Sequence, residues 1–304
     1  MSCKYTISTY EFFKLYPDEK AAIEYLEGRK WANGVVCPSC ESERTSRQKD
    51  YRYHQCKDCR KKFTIRTGTI FERSHIPLEK WLFTMYILQT ARKGISSLQL
   101  SKEIGITQKS AWFMLNRLRE ACSFDDKQLD GIVEVDETYF GGKEKNKHTS
   151  KKHNSGRGVA NKTAVVGLRQ REGKVKAILV EETSKETLQE AIKVFVKQDS
   201  TVCTDDHRSY IGLEGYTQLT VNHSAKEYVN GMAHTNGIES VWAVLKRGYN
   251  GVYHKMSIKH LHRYVNEFIF RLNHGDVKRH TLDRINSLVD QAVAKRLTYA
   301  ELIS

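Results

Sequence analysis

Proline is scarce in this chain, three in 304 residues, and no apolar run is longer than the segment from Trp81 to Leu88. The first shortage, with an ordinary 39% of hydrophobic residues, argues against a disordered chain. The second excludes a membrane-spanning helix, which needs about 20 consecutive apolar residues. The opening stretch from Met1 to Lys14 also lacks the apolar core of a signal peptide. Acid is in deficit: 50 Lys and Arg stand against 36 Asp and Glu, a net charge of +14, which makes nucleic acid the first partner to consider. Seven cysteines is an odd number, and four of them form two close pairs, a pattern that fits metal binding in a reducing cytoplasm better than a disulfide scaffold. The chain reads as a cytoplasmic protein without a membrane partner, long enough for one sizeable core plus smaller modules.

Residues 9–31 carry Phe12, Phe13, Leu15, Ile23, Tyr25, Leu26 and Trp31, with Pro17, Asp18 and Glu19 as a helix start, and predict one or two short helices. Cys37-Pro38-Ser39-Cys40 and Cys56-Lys57-Asp58-Cys59 follow, separated by positions 41–55. Two thiolates two residues apart on each of two turns can close a tetrahedron around one structural Zn²⁺. The run Tyr51 to His54 leads into the second turn as a ribbon strand would, with His54 expected at the surface rather than on the metal. A module this small draws much of its folding free energy from its metal. Its basic flanks, among them Arg44, Arg47, Lys49, Arg52, Lys57 and Arg60, suit phosphate contact.

From Pro77 to Cys122 the apolar period turns helical. A helix through Trp81, Met85 and Leu88 precedes a short amphipathic helix from Ser97 to Ile104. Gly105 makes a turn and Thr107 caps a third helix, which together describe a helix-turn-helix. Gln108, Lys109, Ser110 and Asn116 are the side chains expected to reach DNA. Phe124 to Asp130 is acidic and reads as a linker. Lys143 to Lys162 is a basic stretch without apolar period, and Lys143, Lys151, Lys152 and Arg157 in it are expected to contact DNA, as are Lys246 and Arg247 further on.

Ile132 to Gly142 alternates apolar and acidic residues up to Asp136 and then breaks at two glycines. On a strand, Glu134 and Asp136 share one face while Glu137 lies on the other. Two strands joined through Arg171, Glu172 and Gly173 follow, then a helix capped by Ser184. A strand from Thr201 to Thr204 ends in Asp205 and Asp206, a further short strand precedes Asn222 and His223, and a helix opens with Asn236, Gly237, Ile238 and Glu239. Strand, strand, strand, helix, strand and then helices is the order of a ribonuclease H-like core, in which the first and fourth strands are neighbours.

Five stretches in this order carry a resemblance that covers nearly the whole chain: the CPSC and CKDC pairs, RTGTIFERSHIPLEKW, VEVDETYFGGK, TDDHRSY and HTNGIESVWAVLKRG. The chain resembles the DDE transposases of bacterial insertion sequences, and more narrowly the insertion sequence fifteen-ninety-five group. The resemblance implies a multidomain α+β and α/β chain: N-terminal helices and a zinc ribbon over 1–75, a helix-turn-helix region over 76–123, a ribonuclease H-like catalytic domain with a mixed sheet and flanking helices over 130–275, and a C-terminal helical tail over 276–304. It implies Asp136, Asp205 and Glu239 as the catalytic acids, with Asp206 an open alternative to Asp205 and with Asn236 and His223 in support. Three converging carboxylates repel one another, and two Mg²⁺ or Mn²⁺ ions would relieve that repulsion. The implied activity is DNA cleavage and strand transfer at terminal inverted repeats, by a homo-oligomer on DNA. A metal-dependent nuclease without strand transfer, or a non-catalytic DNA-binding regulator, are the alternatives.

Overall fold

In the computed structural model, which describes residues 5–48, 53–122, 127–141, 148, 162–221, 229, 231–276 and 278–303, the first elements follow from their caps. Ser8 and Glu11 form a reciprocal capping box at the start of α1 (Thr9–Leu15), and Asp18 accepts from the Ala21 N–H to open α2 (Glu19–Lys30). Three short antiparallel strands then make the ribbon: β1 (Thr45–Arg47), β2 (His54–Cys56) and β3 (Lys62–Phe63). His54, expected at the surface, is buried: its ring stacks on Phe63 at 5.5 Å, meets Trp31 edge-on, and places Nε2 3.0 Å from Glu27. A ribbon with so little apolar material uses the imidazole as core.

The helices that follow are α3 (Leu78–Thr90), α4 (Ser97–Ile104) and α5 (Gln108–Ala121). Pro77 gives α3 no side-chain cap, and the Glu19 carboxylate on α2 accepts the Leu78 N–H instead, at 3.1 Å. Gly105 takes the left-handed conformation, φ +61°, that ends α4, and the Thr107 side chain accepts from Ser110 to start α5. Helices α4 and α5, joined through this turn, pack against each other.

The second unit is built on a five-stranded mixed sheet in the order β6-β5-β4-β7-β8, comprising β4 (Ile132–Phe140), β5 (Thr163–Gln170), β6 (Val175–Val180), β7 (Thr201–Asp205) and β8 (Thr217–Val221). The first three pair antiparallel, and β4-β7 and β7-β8 are parallel. The first and fourth strands are therefore neighbours, as expected. Helix α6 (Lys185–Phe195) covers one face, where Leu188 and Ile192 meet Val133, Val135, Val166 and Leu168. Helices α7 (Asn236–Gly248) and α8 (Leu261–His274) cover the other, where Ile238, Trp242, Val265 and Ile269 meet Val165 and Ala177. This is a ribonuclease H-like sheet. Leu129 is buried and bridges to Val196, so the end of the acidic stretch read as a linker is part of the core.

The last helices, α9 (Thr281–Ala294) and α10 (Tyr299–Ile303), belong with the beginning of the chain. The chain divides into Met1–Ser123 with His274–Ser304, and Phe124–Asn273. Helix α9 buries Ile285, Leu288, Val289, Ala292 and Val293 against α2, α3 and α5. Arg29 and Asp290, and Arg296 and Glu72, pair between the two ends of the chain. The stretch expected as a separate tail thus closes the N-terminal unit, and the regions expected as 1–75 and 76–123 share that unit.

Candidate active site and metal centre

The sulfur atoms of Cys37, Cys40, Cys56 and Cys59 all lie within 4.8 Å of one another, and the Cys37–Cys59 and Cys40–Cys56 separations are both 3.6 Å. A tetrahedron of sulfurs at the usual zinc distance has edges of about 3.8 Å, so the four thiols already hold nearly the shape of a Zn²⁺ shell. The two turns match in detail: Glu41 and Arg60, each directly after the second cysteine of its pair, have φ of 58° and 62°. Burial opposes ionisation of Cys56, but the backbone N–H groups of Cys59 and Asp58 together with the Cys40 and Cys59 thiols hold it below its usual range.

The acid site lies where two strands part. β4 and β7 pair in register from Ile132↔Thr201 to Glu134↔Cys203 and no further, while β4 runs on against β5 as far as Phe140↔Thr163. Asp136 therefore sits in mid-strand, past the point where the apolar and acidic alternation ends, and the strand continues to Phe140. The end that matters belongs to β7, which finishes at Asp205, two positions beyond Cys203 as Asp136 is beyond Glu134. Strand alternation puts both carboxylates on the face covered by α7. Glu239 stands in the first turn of that helix and accepts the Thr235 hydroxyl at 2.8 Å. Asp205 accepts the His207 N–H at 3.1 Å, whereas Asp206 lies outside the strand and is exposed.

Burial first, then the charge of Glu137, and then those of Asp205 and Glu239 push the Asp136 carboxyl up to about 7. Burial likewise raises Glu137 to about 7, reinforced by Asp205 and opposed by a hydrogen bond from Tyr210. Asp205 and Glu239 are thus electrostatic neighbours of Asp136. Among the described residues, only the four cysteines gather three or more ligating atoms within 4.8 Å, so the three acids do not all approach one another that closely. A set of hard oxygen donors that raise one another's proton affinity fits a divalent cation such as Mg²⁺ or Mn²⁺.

Beneath the acids, features that sequence reasoning missed fix α7 in place. Glu134, buried on the same face as Asp136, accepts the Ile238 N–H at 2.9 Å and Arg171 Nε at 3.0 Å. A carboxylate at a helix N-terminus offsets the positive end of its dipole. Gly237 lets it approach, since a Cβ there would stand 2.5 Å from Glu134 Oε2. Gly167, opposite Asp136 in the ladder, leaves room for the Trp242 ring. A glycine inside a strand marks such close approach, and that was the one available signal.

Of the expected DNA-contacting residues, Gln108 and Lys109 are exposed at the start of α5, Ser110 is half-buried, and Lys246 and Arg247 are exposed in the last turn of α7. Asn116 is not available: it is fully buried and its Nδ2 donates to the Trp112 carbonyl at 2.9 Å. Helix α5 is packed against α3, α4 and α9, which leaves that side no solvent. Asn236 is exposed at the start of α7. Lys143, Lys151, Lys152, Arg157 and His223 lie outside the described residues.

Comparison with known proteins matches residues 128–273 to the ISXO2-like transposase domain and residues 17–62 to the transposase zinc-ribbon domain. An uncharacterized protein in transposable element ISH50 of Halobacterium salinarum is 32% identical over 249 residues, 77% of this chain and 84% of the relative. The chain belongs to the ISXO2-like transposase family. A second relative, an uncharacterized transposase-like protein of Haemophilus influenzae, is 30% identical over 110 residues, 34% of this family member and 85% of its own length. One solved chain, from a simian T-cell lymphotropic virus intasome in complex with PP2A regulatory subunit B56 gamma, aligns with 61% of this chain and 65% of its own. It does so at 14% identity and a TM-score of 0.29, a likeness too loose to define a shared fold. The family assignment extends over both the acid-bearing sheet and the four-cysteine ribbon.

Proposed function

We propose that the protein is a transposase that binds the terminal inverted repeats of its element, cleaves DNA there and joins the freed ends to target DNA. The observation that carries this reading is the placement of Asp136 and Asp205 at matching positions on two parting strands, facing Glu239 from α7. Carboxylates by themselves would repel the charge that builds on oxygens around phosphorus, and cations held between them would reverse that effect.

Asp136, Asp205 and Glu239 would hold two divalent cations. When bound, such ions offset the carboxylates' charge, lower the proton affinity of an attacking oxygen and stabilise the departing one. Glu134 and Gly237 set the height of Glu239 above the sheet, and Thr235 fixes its rotamer. In the first step a water oxygen attacks the phosphodiester at an element end, the P–O3′ bond breaks, and a 3′-hydroxyl leaves. In the second that hydroxyl attacks a target phosphodiester, so one P–O bond forms as another breaks.

Sequence reading is assigned to Gln108, Lys109 and Ser110 at the start of α5, and backbone contact to Lys246 and Arg247. The four-cysteine ribbon carries a structural Zn²⁺ and joins α5 in binding the repeat. Pairing two ends calls for at least two copies in the working complex.

Asp136→Asn tests the reading: repeat binding should persist within about threefold while cleavage falls by about 100- to 1,000-fold, the order set by losing one electrostatic catalytic group. Loss of binding together with cleavage would make Asp136 a structural residue. A protein that cut the ends but never joined them to a second DNA would be a nuclease on the same core.

A further inference from the structure

No β4-β7 backbone pairing extends beyond Glu134↔Cys203, so the backbone ladder that orders the two strands stops short of both Asp136 and Asp205. Asp205 is held from its far side, where it pairs with Val221 of β8. Something else must set its distance from Asp136. On the opposite face of the sheet, the Tyr210 hydroxyl donates to Glu137 Oε1. Glu137 is the residue next to Asp136, and Tyr210 follows Asp205 by one tight turn, so this hydrogen bond spans the gap that the ladder leaves open.

The turn is itself well anchored. Residues Arg208–Tyr210 form a single 3₁₀ turn whose cap, His207, accepts from Ser209. Ser209 Oγ donates to the Thr183 carbonyl at 3.3 Å, and Gln189 of α6 donates to the Ser209 and Ile211 carbonyls at 3.3 and 3.2 Å. The Tyr210 ring is 0% exposed and packs with Val133, Val135 and Val202. A buried tyrosine hydroxyl needs an acceptor, but an amide would serve as well as a carboxylate. A fourth carboxylate beside Asp136, Asp205 and Glu239 adds repulsion that a purely structural tie would not require.

We propose that Glu137 and Tyr210 are a positioning pair that holds the Asp136 and Asp205 carboxylates at the separation a divalent cation requires. This rests on the acid-site reading above. Neither side chain touches the reacting phosphate, and both act through the segments that carry the acids. Outer partners of metal ligands characteristically change metal affinity by 10–100-fold when removed. The pair also explains why the acid segment of β4 bears adjacent carboxylates on opposite faces: one side is for the metal and the other for the frame.

The test is titration of the full-length, zinc-loaded protein with Mn²⁺ alone, followed by calorimetry and by the Mn²⁺ resonance signal, with thermal unfolding of the same zinc-loaded protein recorded before Mn²⁺ is added. Tyr210→Phe removes only the hydroxyl and should weaken Mn²⁺ binding by about tenfold or more. Glu137→Ala breaks the tie from its other end without touching the buried ring, and should match that loss. Glu137→Gln keeps an acceptor for the hydroxyl and should bind Mn²⁺ within about threefold of the parent, the tie being intact. Asp136→Asn is the control. Should it lose Mn²⁺ while Tyr210→Phe and Glu137→Ala bind as the parent does, the positioning pair is refuted and the acid site stands. Should Asp136→Asn bind Mn²⁺ normally, the acid-site reading itself fails. Weakened binding in Glu137→Gln equal to that in Glu137→Ala would replace the hydrogen-bonded tie with a charge effect.

Discussion

Gly167 stands directly across the ladder from Asp136, and the space where its side chain would be is taken by the Trp242 ring. A Cβ at Gly167 would fall 2.3 Å from Trp242 Cζ2 and 2.9 Å from Ile238 Cδ1. The aromatic ring of α7 thus reaches the sheet beside the acid. Gly167→Ala should destabilise the protein by about 1–3 kcal/mol, the usual cost of overpacking a filled core. It should also impair divalent metal binding, because the helix that shifts carries Glu239. Trp242→Leu in the Gly167→Ala background should recover part of both losses. Denaturant unfolding and Mn²⁺ titration read the two effects, and an additive double mutant would mean the contact does not position α7.

Zinc should be a structural component of the N-terminal unit. One Zn²⁺ per chain is expected by elemental analysis, falling to none in Cys56→Ser. Chelation should collapse the amide signals of the ribbon core, including those of His54, Phe63 and Trp31, to random-coil positions, while α4 and α5 keep their helical signals. The reason is that the ribbon's buried material, Cys37, Cys56 and Phe63, is too small to hold it without metal. Retained ribbon structure in chelator would contradict this.

The metal-free protein should lose stability as pH rises from about 4 to about 7. Asp136 and Glu137 are both raised to about 7 when folded and sit in the ordinary carboxylate range when unfolded. Over that window the folded state keeps protons the unfolded state has released, so each step upward in pH favours unfolding. Mn²⁺ should cancel the decline, with affinity rising through the same window and protons released on binding. The check is the urea midpoint at several pH values with and without Mn²⁺; a flat metal-free profile would count against crowding of these carboxylates.

Glu134→Ala should be among the most destabilising single changes in the sheet unit, about 3–5 kcal/mol. It leaves Arg171 and the Ile238 N–H without their buried acceptor. Glu134→Gln should be milder, since it keeps an acceptor for the helix N-terminus. Chemical denaturation of the pair reads the difference, and equal losses would show that the charge rather than the acceptor matters.

Local chemistry was legible in the sequence wherever one residue dictates its own surroundings. The paired cysteines, the turn at Gly105 with the Thr107 cap, and the hairpin at Gly173 are of this kind, and the structure has them where the pattern placed them. The strand order was legible too, since hairpins and one crossover helix leave few ways to lay out the sheet. What the sequence hid was decided by distant partners. The length of β4 is one case, since β5 pairs with it past the acids to Phe140. Asn116 is another: a polar type on a helix suggests exposure, but α5 is surrounded on several sides. Glu134 looked equivalent to Asp136, and only the position of α7 separates the buried clamp from the acid of the candidate site.

The return of α9 to the first half of the chain has a consequence for synthesis. Chains emerge from the ribosome N-terminus first, and domains fold as units once complete. Here the first 123 residues are made early but lack the helix that covers α2, α3 and α5 until Thr281–Ala294 have emerged. The sheet unit, although made second, has all its own strands and helices before then. A message truncated after residue 273 would therefore yield a folded sheet unit joined to an N-terminal unit that has lost its covering helix, with the apolar faces of α2, α3 and α5 left open to chaperones and proteases.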